Sequence, residues 1–271
     1  MKPDAPIGVF DSGVGGLTVL RALREHLPCE NLLYLGDTAR VPYGTRSAVS
    51  VRRYARQATG LLVDRGIKYL VVACNTASAV AIDDLEDNYA PLPVTGVVEP
   101  GALAGCRASY NGHIAVVATE STARGGAYER AIADHCPGTF VTVAACPLLV
   151  ALAEEGWTDG SVVEAVVDSY LKPLFANHEK PDCLILGCTH FPILADTIGR
   201  VAGHDVTLVD SAETTAVFVD EELQRRGLNR SSDSPGSTRF LATDSPRRFA
   251  KVGGVFLGES LSEQDVELVD L

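Results

Sequence analysis

The chain has no surplus of positive charge. Its 271 residues carry 23 Lys and Arg against 35 Asp and Glu, a formal net charge of −12. Such a balance argues against a surface that binds nucleic acid directly. No run of about 18 apolar residues occurs, so no transmembrane helix is predicted. No basic-then-apolar leader precedes residue 7, and we therefore expect a cytoplasmic protein without a membrane partner.

The seven cysteines contain no CxxC pair, which argues against a zinc ribbon or a thioredoxin motif. Their number is odd and their spacing is scattered. In a chain without a leader this pattern predicts a reducing compartment and free thiols. No lysine motif for pyridoxal phosphate is evident.

What the sequence does contain is a series of short apolar runs separated by helical patterns, which predicts an α/β fold with mostly parallel sheets. The predicted strands span 7–10, 31–35, 69–73, 94–98, 113–118, 140–144, 183–186, 206–209, 240–243 and 266–269. The layout restarts near residue 113, which indicates two related units. We predict a first domain of residues 1–97 plus 210–271, a second of 98–209, and a surface loop at 229–239.

Two strand ends carry a cysteine in a similar setting: VVACNTASA around Cys74 and LILGCTHFP around Cys188. Ligands of α/β proteins bind at the carboxyl ends of strands. Helices are predicted shortly after both cysteines, at 77–87 and 191–201, and a helix N-terminus lowers the pKa of a thiol. A cysteine is more often a buried packing residue. We assign that role to the remaining five, Cys29, Cys106, Cys136, Cys146 and Cys183.

Other polar residues also lie at predicted strand or loop ends. Asp11, Asp37 and Glu154 are candidates to steer protons or to bind an ammonium group, although a helix cap or a loop carboxylate is the favoured explanation for each of them taken alone. His190 is a candidate proton partner for Cys188. The glycine-rich turn at 13–16 fits either an anion site or a tight turn, and the sequence does not choose between them.

The stretches IGVFDSGVGGLTVL, YLGDTARVPYG, VVACNTASA, CPLLVALAEEG, LILGCTHFP and LVDSAETTA together resemble glutamate racemases, in the order of that family. Related aspartate racemases share the two-cysteine plan, and the CNTAS and GCTHFP versions indicate glutamate. The resemblance implies two flavodoxin-like α/β domains related by a pseudo-twofold axis, with the active site between them. It also implies a cofactor-independent isomerase that interconverts L- and D-glutamate and supplies D-glutamate for peptidoglycan.

By the same resemblance Cys74 is the base for D-glutamate and Cys188 the base for L-glutamate. Asp11, Asp37, Glu154 and His190 are implied as supporting residues of the two thiols. The implied substrate contacts are Asp11, Ser12, Pro42, Tyr43, Gly44, Asn75, Thr76, Thr189 and His190. Two reacting contacts of about 3–3.5 Å each place the sulfur atoms roughly 7 Å apart, with the substrate between them.

Three alternatives stay open at this point. The first is a racemase for another acidic amino acid such as aspartate. The second is a Cys–His hydrolase, which would leave Cys74 unexplained. The third is a protein-interaction role, because some members of the resembled family inhibit DNA gyrase; the sequence itself does not support that interaction. A homodimer is an expectation that the sequence does not test.

Overall fold

A computed structural model describes residues 2–176, 180–232 and 234–271. The first part of the chain alternates strands and helices. In order its elements are β1 (Ile7–Asp11), α1 (Leu17–His26), β2 (Leu32–Gly36), α2 (Ala48–Asp64), β3 (Tyr69–Val72), α3 (Asn75–Tyr89), β4 (Val94–Gly96) and α4 (Val98–Ala108). A short 3-10 helix, Tyr43–Thr45, lies between β2 and α2.

The second part repeats this alternation. Its elements are β5 (His113–Ala118), α5 (Glu120–Gly125), α6 (Ala127–His135), β6 (Phe140–Ala145), α7 (Pro147–Glu154), α8 (Ser161–Leu174), β7 (Cys183–Gly187), α9 (Ala195–Ala202), β8 (Thr207–Asp210), α10 (Ser211–Arg226), β9 (Thr238–Ala242), α11 (Pro246–Leu257) and β10 (Val266–Leu268). A 3-10 helix, Phe191–Leu194, precedes α9, and another, Glu263–Asp265, precedes β10.

The strands form two parallel sheets. The first has the order β10-β9-β2-β1-β3-β4 and the second the order β6-β5-β7-β8. Numbered within each half, both sheets contain the order 2-1-3-4, as in flavodoxin-like folds. The first sheet adds β9 and β10 beside β2. The predicted α/β class with two similar parallel sheets is confirmed, and each cysteine motif follows the third strand of its own half.

One apolar cluster joins the two halves. It includes Val9 and Val71 of the first sheet, Val117 and Leu186 of the second, and Val219 of α10. Helix α10 contacts α1 on one side and α4 and β7 on the other. The two sheets therefore share a core, and their strand ends are held against each other. Among the described residues, none of the helices combines the length and the apolar character needed to cross a bilayer.

Two sequence-based expectations are wrong. The predicted strand 94–98 ends at Gly96, and Val98 begins α4, a helix that was not predicted. Pro100 lies in the first turn of α4, where no backbone N–H is needed, so the apolar Val97-Val98 pair enters a helix instead of extending the strand. Cys106 and Cys136 form a disulfide between α4 and the end of α6, so the expectation of free thiols fails for this pair.

The return of the late strands to the first sheet agrees with a discontinuous first unit, but the proposed domain boundaries stay a prediction.

Part of the expected 229–239 loop is described. Arg230 donates its backbone N–H to Glu30 and its guanidinium to the carbonyl of Cys29, and these bonds hold the segment against the first sheet. Position 233 of that loop lies outside the described residues.

Candidate active site

The carboxyl ends of strands from both sheets surround one cavity of about 310 Å³. All the predicted site residues line it except Asp11 and Asp37. The lining residues are Ser12, Val41, Pro42, Tyr43, Gly44, Thr45, Cys74, Asn75, Thr76, Thr119, Glu120, Pro147, Val150, Ala151, Glu154, Cys188, Thr189 and His190. The two strand-end cysteines, 114 positions apart in the chain, therefore face a common space.

Cys74 follows β3 and is the N-cap residue of α3, which begins two positions before the predicted start. Its buried thiol donates a hydrogen bond to the Ser12 hydroxyl at 3.5 Å. Burial, and then the nearby Asp11 carboxylate, raise the pKa of Cys74 to about 12, although Ser12 and the Ala77 N–H act against this shift. Cys74 is therefore a protonated thiol at neutral pH, able to give up a proton.

Cys188 follows β7, and its sulfur lies 3.8 Å from Nδ1 of His190. The other ring nitrogen of His190 lies 3.3 Å from the Glu154 carboxylate. Burial opposes a charge on His190, but hydrogen bonds with Cys188 and Glu154 outweigh it and raise the pKa of His190 to about 10. The same hydrogen bond from His190 lowers the pKa of Glu154. Cys188, His190 and Glu154 thus form a chain in which an imidazolium contacts the sulfur.

Asp11 and Asp37 lie behind the cavity wall. The Asp11 carboxylate accepts the Gly13 N–H at 2.8 Å, and burial raises its pKa, against the charge of His190. Asp37 is fully buried and accepts a hydrogen bond from the Tyr43 hydroxyl. It is also paired with Arg40 at 2.7 Å. Asp37 therefore holds Tyr43 from outside the cavity, and neither carboxylate forms part of the lining.

The glycine-rich turn brings the two halves into contact. A Cβ atom on Gly15 would lie 2.4 Å from Oγ1 of Thr189 and 2.5 Å from Nδ1 of His190. Just after the turn, the Thr18 hydroxyl lies 3.0 Å from both the Gly15 carbonyl and the Thr189 carbonyl. The glycines here permit a close approach between the turn and the Cys188 loop.

Thr119 and Thr122 were not predicted as site residues, and together with the predicted Thr76 they form a cluster of hydroxyls on the Cys74 side. Thr119 Oγ1 lies 3.0 Å from the hydroxyl of Thr76 and 3.0 Å from that of Thr122. Thr119 directly follows β5, so its strand-end position was a signal comparable to that of the two cysteines. Thr76 and Thr119 line the cavity, whereas Thr122 is not part of the lining.

Two thiols, one next to an imidazolium and the other protonated, can serve as a base and an acid on opposite sides of a bound molecule. Within residues 2–176, 180–232 and 234–271 no group of three or more His, Cys, Asp or Glu side chains is arranged to hold a metal ion. Each thiol is supported by a different set of polar groups, which makes this a cavity suited to proton transfer.

The chain is similar in sequence and in structure to known proteins of one family. A profile of the family described as Asp/Glu/Hydantoin racemase matches residues 15–219. A glutamate racemase from Geobacter metallireducens is 47% identical over 261 residues, 96% of each chain. A crystal structure of a glutamate racemase isoform from Bacillus anthracis has a TM-score of 0.92 and 38% identity, covering 98% of both chains. A glutamate racemase from Francisella tularensis, solved in complex with D-glutamate, has a TM-score of 0.90 and 35% identity, covering 99% of this chain and 98% of the other.

Proposed function

The chain belongs to the Asp/Glu/hydantoin racemase family, and from that membership we propose that it is an isomerase that interconverts L- and D-glutamate. The observation that carries the proposal is the position of Cys74 and Cys188 in the lining of one cavity, each at the end of the third strand of its half. Inversion at a carbon atom needs a base on one face and an acid on the other, and in this proposal each strand end supplies one of the two.

In the proposed mechanism the substrate lies with its α-carbon between the two sulfur atoms. With L-glutamate, the Cys188 thiolate removes the α-proton while the Cys74 thiol donates a proton to the opposite face. With D-glutamate the roles are reversed. The raised pKa values of Cys74 and His190 support the first arrangement, because they pair a protonated thiol with a sulfur beside an imidazolium. The sulfur separation of roughly 7 Å stays a prediction.

The anionic intermediate carries its new charge next to the α-carboxylate, so the site must offset negative charge. Hydrogen-bond donors fixed around a site of charge development are the usual means. We propose that the side chains of Ser12, Asn75, Thr76 and Thr189, with backbone groups of the loop Pro42-Tyr43-Gly44, bind the substrate. Glu154 acts through His190, and Asp11 acts through the Ser12-Gly13 segment. Asp37 acts through Tyr43.

The experiment is to measure racemisation and solvent deuterium exchange with each glutamate enantiomer. We compare the wild type with Cys74→Ser, Cys188→Ser and the control Cys29→Ser, whose sulfur does not line the cavity. Both active-site variants should lose racemisation, because a serine hydroxyl is a far weaker base than a thiolate, and the control should retain it. Full turnover in either active-site variant would refute the paired mechanism.

The same assay separates the alternatives. Aspartate tested in parallel distinguishes a glutamate enzyme from an aspartate enzyme. A Cys–His hydrolase would keep its activity after Cys74→Ser, because among the described residues it is Cys188, and not Cys74, that contacts a histidine. A cytoplasmic location, supply of D-glutamate for peptidoglycan and a homodimer belong to the proposal as well. Size-exclusion chromatography with light scattering tests the dimer, and co-purification tests the gyrase interaction, for which the described surface offers no argument.

A further inference from the structure

A tyrosine outside the cavity lining contacts both cysteine motifs. Tyr128, on α6, is buried, and its hydroxyl donates a hydrogen bond to Oδ1 of Asn75 at 2.7 Å. Asn75 directly follows Cys74 and begins α3. The bond therefore runs from the second half of the chain to the strand-end motif of the first half.

The ring of the same tyrosine lies against the other motif. A Cβ atom on Gly187, the residue before Cys188, would lie 2.9 Å from Cε2 of Tyr128. Only glycine allows this approach without a shift of the strand end or the ring. Tyr128 thus contacts the neighbour of each catalytic thiol while lying outside the cavity itself.

The hydrogen bond to Tyr128 occupies one end of the Asn75 amide, Oδ1, and leaves the other end, Nδ2, available. Asn75 lines the cavity, and its buried Nδ2 has no hydrogen-bond partner among the described residues. A buried amide N–H₂ without a partner is costly, and a bound acceptor would satisfy it. Were the amide reversed, Nδ2 would donate to Tyr128 and Oδ1 would face the ligand, where it would repel a carboxylate.

The phenol is suited to this role because it stays protonated. Burial, followed by the neighbouring Cys188 sulfur, raises the pKa of Tyr128 above its ordinary value. A neutral hydroxyl donates to Oδ1 across the whole working pH range of an enzyme. Ionisation of the phenol therefore does not break this hydrogen bond near neutral pH.

We infer that Tyr128 is a positioning residue of the racemase site: its hydroxyl fixes the side-chain amide of Asn75 so that Nδ2 donates to a carboxylate of the substrate. The inference rests on the proposed function, because it takes the ligand to be an amino-acid carboxylate. Asn75 contacts substrate and transition state alike, so loss of its orientation should weaken binding of both enantiomers more than it slows the chemical step.

The test compares Tyr128→Phe with the wild type in glutamate racemisation in both directions. A hydrogen bond to a charged group corresponds to roughly tenfold or more in affinity. We expect Tyr128→Phe to raise KM for L- and D-glutamate about tenfold, with a much smaller change in kcat. In an Asn75→Ala background the same substitution should change KM by less than about twofold, because the amide that it orients is gone.

Tyr69→Phe is the matched control. Tyr69 is also buried and its hydroxyl is hydrogen-bonded to Thr95, at the opposite end of β3 from Cys74. A purely structural role for Tyr128 predicts that both variants lower Tm and leave KM unchanged. That result, or additive effects of Tyr128→Phe and Asn75→Ala, would overturn the inference while leaving the racemase function intact. A wild-type protein that neither binds nor racemises glutamate would overturn both.

Discussion

The close approach of Gly15 to the Cys188 loop leads to a sharp prediction for Gly15→Ala. The φ angle of Gly15 is not positive, so alanine adds no backbone strain there. Its Cβ, however, would lie 2.4 Å from Thr189 Oγ1, whereas ordinary contacts begin near 3.4 Å. The turn and the loop must therefore separate by about 1 Å. A displacement of that size at reacting groups lowers the rate about 100-fold, or about 2.7 kcal/mol in activation free energy.

The assay is the steady-state rate of racemisation followed by circular dichroism, with Tm measured alongside. Gly125→Ala is the matched control: it is also a glycine without a positive φ, and an added Cβ would meet no atom within 4 Å. The control should keep wild-type kcat/KM. A Gly15→Ala variant with wild-type kcat/KM would refute the idea that this contact sets the position of the Cys188 loop.

Two further predictions concern buried charge. Lys68 and Glu30 form a buried pair at 2.5 Å, so Lys68→Met should lower the free energy of unfolding by about 3–5 kcal/mol in urea titrations. Arg200→Met, at an exposed ion pair, should change the free energy of unfolding far less, and equal losses for the two variants would contradict this account. The pKa of His190 rises from 6.5 to about 10 on folding, so its proton stabilises the fold below about pH 6.5 and this stability is lost as pH rises through about 10. The Tm difference between wild type and His190→Gln should shrink over that window, and a constant difference would argue against a charged His190.

Much of the fold follows from sequence patterns because buried parallel strands are short continuous apolar runs. The strand 113–118, for example, is predicted with its observed bounds. The error at 94–98 arises because apolar periodicity alone does not distinguish the end of a strand from the start of a buried helix. Helix α11 was missed because its apolar residues are interrupted by Gly253 and Gly254, which weaken a helical pattern.

Strand-end position predicts only part of the candidate site, while the family resemblance implied the other lining residues, Pro42, Tyr43, Gly44 and Glu154. Cys74 and Cys188 carry that signal. Tyr128 does not, since it reaches Asn75 across 53 positions from a helix of the other half. Likewise, the pairing of Cys106 with Cys136 depends on how α4 packs against α6. Contacts between elements distant in the chain are set by the tertiary structure, and no local pattern records them.

Thermodynamics limits how far the unequal surroundings of the two thiols can make the two directions of the reaction differ. Cys188 contacts the imidazolium of His190, which in turn contacts the Glu154 carboxylate, whereas Cys74 is hydrogen-bonded to the Ser12 hydroxyl. The enantiomers of an amino acid have the same free energy in water, so the equilibrium constant of racemisation is unity. For an enzyme that performs this reaction, kcat/KM must then be identical in the two directions, whatever the asymmetry of the site. The different neighbours of the two sulfurs can make kcat and KM differ between the two directions. A substitution beside either sulfur must nevertheless lower kcat/KM by the same factor in both directions.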